Sequence, residues 1–192
     1  MQSIGSEELS RLAHQGTAHP AVHWRVATPD DVPDLLNLIK ELALYEHEPD
    51  AVKTSEEDLR VALFSSSPNV FCHVVDHPDP ASGKRLAGLA LYFMTFSTWV
   101  GKHGIHLEDL FVRPEVRGRG IGLTLLRSLA QVCVERGYGR LEWACLDWNR
   151  PSIAFYKAQG AVPMDEWTTY RLAAEALTNF AQGKHAAGAP HQ

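Results

Sequence analysis

The sequence predicts a mixed α/β protein, with a mostly antiparallel central sheet and helices on both faces. Three observations carry this. Short apolar runs bounded by turn residues recur early and in the middle of the chain, as strands do. Other segments place apolar residues at helical spacing. The order of the two reads β-α-α-β-β-β-α-β-α-β, a meander feeding a βαβα unit, which is the pattern of one layered sheet. A length of 192 residues suits a single domain with tails. The expected organisation is an N-terminal extension over 1–21, a folded domain over 22–173 and a C-terminal tail over 174–192.

Taken in order, Ser6 to His14 reads as a short, loosely docked helix within the extension. Val22 to Ala27 alternates and reads as the first strand. Thr28-Pro29-Asp30-Asp31 is a helix start, with Thr as N-cap, Pro at the first helical position and acids in the first turn. Val32, Leu35, Leu36, Ile39, Leu42 and Ala43 then form one apolar face. The helix leaves through Tyr45-Glu46-His47-Glu48-Pro49-Asp50. Thr54-Ser55-Glu56-Glu57 is a capping box that opens a second helix to about Phe64.

Val70 to Asp76 reads as a strand, and the turn-rich stretch from His77 to Lys84 closes a hairpin onto the long apolar strand Arg85 to Phe96. Gly88 inside that strand marks a bulge or a close backbone approach. Ser97 to Gly104 reads as a loop, His106 to Val112 as a strand, and Ile121 to Arg136 as a helix closed by Gly137. Arg140 to Leu146 is the next strand. Asn149 caps a helix that Gly160 ends, Ala161 to Leu172 reads as one or two final strands, and Ala173 to Phe180 as a short helix.

Composition narrows the function. Lys and Arg number 18 against 23 Asp and Glu, a net charge of −5, which argues against a general nucleic-acid binder. There is no apolar run of membrane length and no signal-peptide core. Cys72, Cys133 and Cys145 form no Cys-x-x-Cys pair and read as reduced thiols of a cytoplasmic protein. No His/Cys set has ligand spacing, so no metal is expected; His14, His19 and His23 read as surface residues, and His103 and His106 as structural ones.

Leu107 to Leu123 carries the chemistry. An apolar strand with two acids, Glu108 and Asp109, breaks at Arg113-Pro114 and runs through a glycine-rich turn into a helix. The first N–H groups of a helix have no partner within it and point outward. Glycines let a phosphate approach them, so the turn reads as a pyrophosphate cradle.

Within that stretch, Arg117-Gly118-Arg119-Gly120-Ile121-Gly122 fits the pattern Arg/Gln-x-x-Gly-x-Gly/Ala. Downstream, Asn149 to Ala161 fits Asn-x-x-(Ala/Ser)-x-x-Phe-Tyr-x-x-x-Gly-(Phe/Ala). On these motifs the chain resembles the GCN5-related N-acetyltransferase (GNAT) superfamily. Leu38 to Ala43 with Tyr45-Glu46, Leu107-Glu108-Asp109, Asp147-Trp148-Asn149 and Phe155-Tyr156-Lys157 look like its diamine (spermidine/spermine) and thialysine branch.

The resemblance implies a GNAT fold and transfer of an acetyl group from acetyl-CoA to a primary amine of a small diamine, polyamine or thialysine-like molecule. It implies that Arg117, Gly118, Arg119, Gly120, Ile121, Gly122 and Leu123 hold the pyrophosphate. Leu110, Phe111 and Val112 would run beside the pantetheine arm, and Asn149 and Ser152 would also contact the cofactor. Tyr156 matches the tyrosine near the sulfur, able to protonate the departing thiolate, and Glu108 is the general base for the ammonium. Strand alternation turns Asp109 to the opposite face. Tyr45 and Glu46 match amine-contacting residues, and Glu142 and Trp143 offer an acid and an aromatic to an ammonium tail. Trp99 and Trp167 read as packing or dimer residues; the resemblance implies a homodimer with Asp165 to Tyr170 near its interface. Other acceptors (an aminoglycoside or a protein amine) and a non-catalytic acyl-CoA-binding domain remain open.

Overall fold

The computed structural model describes residues 22–184; the expected helix from Ser6 to His14 lies outside them, as do His14 and His19. Contacts divide the described chain into two compact units, meeting between Ala144 and Cys145.

The first unit is built on a five-stranded sheet in the order β1-β2-β3-β4-β5. The strands are β1 (Arg25–Val26), β2 (Val70–Asp76), β3 (Leu86–Ser97), β4 (Lys102–Val112) and β5 (Leu141–Trp143). Neighbours run antiparallel except β4 and β5, which are parallel. The helices are α1 (Val32–Tyr45), α2 (Glu56–Phe64) and α3 (Ile121–Glu135).

Alternation along β2 and β3 sorts the two faces. Cys72, Val74, Leu89 and Leu91 join Val32, Leu35, Leu36 and Leu38 of α1 and Leu59 and Leu63 of α2 in one core. The intervening residues face α3. There His73 stacks on Trp24 at 4.2 Å, meets Ser128 Oγ of α3 at 2.7 Å through Nδ1, and meets the Tyr92 hydroxyl at 3.2 Å through Nε2. Burial pushes the His73 pKa down to about 3, so the ring is neutral and works as a polar peg for α3. The expected α3 face, Leu125, Leu126, Leu129, Val132 and Cys133, is buried. Helices thus cover both faces, as the sequence pattern predicts.

Local chemistry sets the element starts. Thr28 N–H donates to Asp31 Oδ2 at 2.7 Å across a short 3-10 turn before α1. The second capping box is Ser55 with Asp58, one residue beyond the expected Thr54 start. Gly88 proves to be a close approach: a Cβ there would sit 2.5 Å from the Phe111 carbonyl oxygen.

Four expectations are corrected. The first strand shrinks to Arg25–Val26, since only these residues pair with β2. The expected loop over Ser97 to Gly104 shrinks to the turn at 98–101, because β3 and β4 stay in register out to Ser97 opposite Lys102. Gly104 fits there because a Cβ would come within 2.9 Å of the Thr95 hydroxyl. The strand expected over Arg140 to Leu146 is confined to Leu141–Trp143. Ala161 to Leu172 forms no strand. Alternation says which side chains would share a face, but a strand exists only where a neighbour takes up its backbone groups. In the second unit stand α4 (Arg150–Ala158) and α5 (Ala174–Ala181).

Candidate active site

β4 carries the site, and a bulge shapes it. Leu107 lies opposite Tyr92, yet Asp109 lies opposite Leu91, so Glu108 is the extra residue. Alternation breaks there. Phe93 pairs with His106 and Leu91 with Asp109, which places His106 and Asp109 on the side of the sheet that α1 covers. Asp109 is therefore not turned away from the site as plain alternation requires. Burial first, then the negative charges of Glu108 and Glu46, push its pKa up to about 6. Burial also raises that of Glu46, just past the end of α1. Glu108 itself is open to solvent, 57% exposed in its side chain. Glu46 and Glu108 thus both act on Asp109 where β4 bulges near the end of α1.

The same strand has an open edge. Pairing between β4 and β5 ends at Leu107 opposite Trp143, whereas β4 continues to Val112 with β3 alone. Leu110, Phe111 and Val112 lie on this stretch. An unpaired edge accepts an extended chain bearing amides.

Beyond it the chain crosses a 3-10 turn (Pro114–Val116) and enters α3 through glycines with positive φ, Gly118 at +75° and Gly120 at +82°. Gly120 is the N-cap of α3, and no side chain caps the helix. The opening N–H groups, from Ile121, Gly122 and Leu123, are thus left to an outside acceptor. A Cβ on Gly118 would meet open space. An uncapped helix start, a bare glycine turn and an open strand edge fit a pyrophosphate with an amide-bearing arm.

Arg117 is less simple than a phosphate contact. Its Nε donates to the Val112 carbonyl at 2.8 Å, and its guanidinium lies 5.1 Å from the Tyr45 ring centroid and 5.4 Å from that of Phe111. It ties the end of α1 to the turn. Arg119 is exposed.

Sequence reasoning overlooked Arg113. It is 1% exposed and holds α1 to the end of β4. Its guanidinium donates to Asp34 at 2.9 Å, to Glu41 at 3.0 Å and to the Leu86 carbonyl at 2.6 Å. The legible signal was on α1: Asp34 and Glu41 stand two turns apart on one face, awaiting a cation. Glu142 is drawn into a 3.0 Å ion pair with Arg140, and Trp143 is half-buried beside it.

In the second unit, Asn149 caps α4, its side-chain oxygen accepting from Ser152 N–H at 3.3 Å. Asn149 is buried, while Ser152 and Tyr156 are half-buried. The Tyr156 ring sits tilted against Phe155, with centroids 5.3 Å apart.

A mixed sheet whose open strand edge leads into a glycine turn at a helix start is the frame of an acyl-CoA transferase. The Acetyltransferase (GNAT) family model matches residues 33–161, and the chain belongs to this family. It is 39% identical to the thialysine N-epsilon-acetyltransferase of Bos taurus over 82% of this chain and 95% of that one. It is 33% identical to an L-ornithine N5-acetyltransferase of Arabidopsis thaliana over 80% of this chain and 85% of that one. Among solved structures, an integron cassette protein of V. cholerae superposes with a TM-score of 0.69 at 28% identity, covering 84% of this chain and 98% of the other. The protein is an acyl-CoA-dependent N-acetyltransferase.

Proposed function

We propose that this enzyme transfers an acetyl group from acetyl-CoA to a primary amine of a small diamine, polyamine or thialysine-like molecule. The observation that carries the acceptor class is the cluster of Glu46, Glu108 and the half-buried Asp109, which favours a cation. The similarity to thialysine and ornithine acetyltransferases supports the same reading.

Bound at the glycine turn and the open edge of β4, acetyl-CoA would supply an electrophilic thioester carbonyl. Gly118, Gly120 and the N–H groups of Ile121, Gly122 and Leu123 hold the diphosphate, and the backbone of Leu110 to Val112 pairs with the arm. Asp109 and Glu46 hold the ammonium by charge. Glu108 accepts one of its protons, directly or through water, leaving a lone pair on nitrogen. The lone pair forms the N–C bond at the thioester carbonyl, the C–S bond breaks, and Tyr156 gives its phenolic proton to the departing sulfur and regains one as the nitrogen sheds its second proton; this role rests on the resemblance of its motif. A homodimer, which rests on resemblance, and a cytoplasmic site of action, which rests on cysteine usage in the sequence, belong to the same reading.

The test is CoA release across a panel of thialysine, L-ornithine, spermidine, spermine, aminoglycosides and lysine peptides. Turnover with the small amines is expected; turnover confined to aminoglycosides or peptides would reassign the acceptor. Glu108→Gln and Tyr156→Phe should each lower kcat by about 100-fold while CoA still binds. Unchanged rates would remove those roles.

A further inference from the structure

His106 stands two residues before Glu108 on β4, and the chemistry above gives it no task. Its ring stacks on Phe93, its partner across the strand pair, with centroids 4.9 Å apart and planes 24° from parallel. Its Nε2 lies 3.8 Å from Glu108 Oε2. That is beyond a hydrogen bond, but the Glu108 side chain is mostly in solvent and a torsional change closes the gap. Catalytic contacts commonly tighten only once substrate is bound.

The surrounding groups leave Glu108 as the acid that the imidazole meets. On β3, Phe93 is uncharged. On β5, Glu142 pairs with His106 in the strand register, but its carboxylate is balanced by Arg140 at 3.0 Å. On β4 itself, the neighbouring acids are Glu108 and Asp109. The ring is 29% exposed, so one end of the path opens to water.

The reaction requires a path of this kind. An ammonium and a thioester become an amide, a thiol and one free proton, so each turnover must discharge a proton. We infer that His106 takes from Glu108 the proton that Glu108 takes from the substrate ammonium, and passes it to solvent. The inference rests on Glu108 being the base. In the first transfer the substrate N–H bond breaks and a Glu108 O–H bond forms. In the second that O–H bond breaks and an N–H bond forms at Nε2, giving an imidazolium beside a carboxylate. Water then takes the proton, and no electrons change hands. His106 acts through Glu108 and is a positioning and proton-accepting residue.

The test uses the full chain with acetyl-CoA and the best acceptor among thialysine, L-ornithine and spermidine. His106→Phe keeps a ring on Phe93 but removes both nitrogens. Its kcat should fall about ten-fold, with amine KM and Tm near wild type. Free imidazole in the buffer should restore the rate in proportion to its concentration. In a Glu108→Gln background, His106→Phe should add no further loss, since the two act in series. An unchanged kcat in His106→Phe would overturn the relay, as would a loss that imidazole does not restore. If Glu108→Gln keeps full activity, the base assignment fails and the relay with it. If Glu108→Gln is slow while His106→Phe is normal, the base stands and only the relay is lost.

Discussion

Asp109 is the residue at which sequence reasoning and three-dimensional structure part. Alternation ranks it behind Glu108, and the bulge returns it to the site. Its pKa of about 6 is raised by burial first and by Glu108 and Glu46 next. A carboxyl raised in the folded state contributes stability below its unfolded pKa, about 4, and that contribution is lost as pH rises through the folded value. At neutral pH the ionised group therefore strains the fold. Asp109→Asn should gain on the order of 2 kcal/mol over wild type at pH 7.5 relative to their difference at pH 4. Urea unfolding of both proteins at the two pH values measures this, and an equal difference at both would refute the assignment. The same variant should raise the amine KM, because a neutral amide cannot hold an ammonium by charge. In the wild type that KM should climb as pH falls below about 6, as Asp109 gains its proton.

Among the elements, two glycines separate folding from binding. Gly88 lets β3 and β4 approach, and its Cβ would strike the Phe111 carbonyl oxygen at 2.5 Å. Gly118 has open space around it but a φ of +75°. Gly88→Ala should cost stability, on the order of 2 kcal/mol, through displaced backbone. Gly118→Ala should cost about 1 kcal/mol through its left-handed backbone, and should raise the CoA KM more than Gly88→Ala does. Thermal melts and CoA titrations of the two variants check the crossover. If both variants lose stability and CoA affinity alike, the turn is not a separate binding element.

The glycine turn was legible because a strand, a break and a helix cap are written in adjacent residues. The helical faces of α1 and α3 were legible for the same reason, as local periodicity. Strand lengths were not. β4 reaches back to Lys102 because β3 lies beside it, and Ala161 to Leu172 reads as strand yet forms none. Those outcomes depend on neighbours that no local pattern names.

At the scale of the whole molecule, buried charge fastens the site's walls. Arg113 joins Asp34 and Glu41 of α1 to the last residues of β4, and thus the proposed amine side to the cofactor side. Burial alone would raise the Asp34 pKa, but the Arg113 guanidinium and the Leu86 N–H outweigh it and hold the carboxyl below its ordinary value. Arg113→Met should therefore lower stability by about 2–4 kcal/mol, because it leaves two half-buried carboxylates without their cation. Denaturant unfolding at pH 7 is the measure; a loss below about 1 kcal/mol would mean that the triad is not holding α1 in place.

The sequence by itself determined the layered α/β class, the glycine turn and the helical faces, since each is carried by residues close together along the chain; acetyl transfer was legible through the resemblance of two motifs, at 117–122 and 149–161. Tertiary structure decided that Asp109 shares the site with Glu108, that Arg113 bridges α1 and β4, and that His106 faces the proposed base. Each of these depends on strand register or on a contact between distant segments. A single extra residue in β4 was enough to reverse the side of the sheet to which the strand turns Asp109.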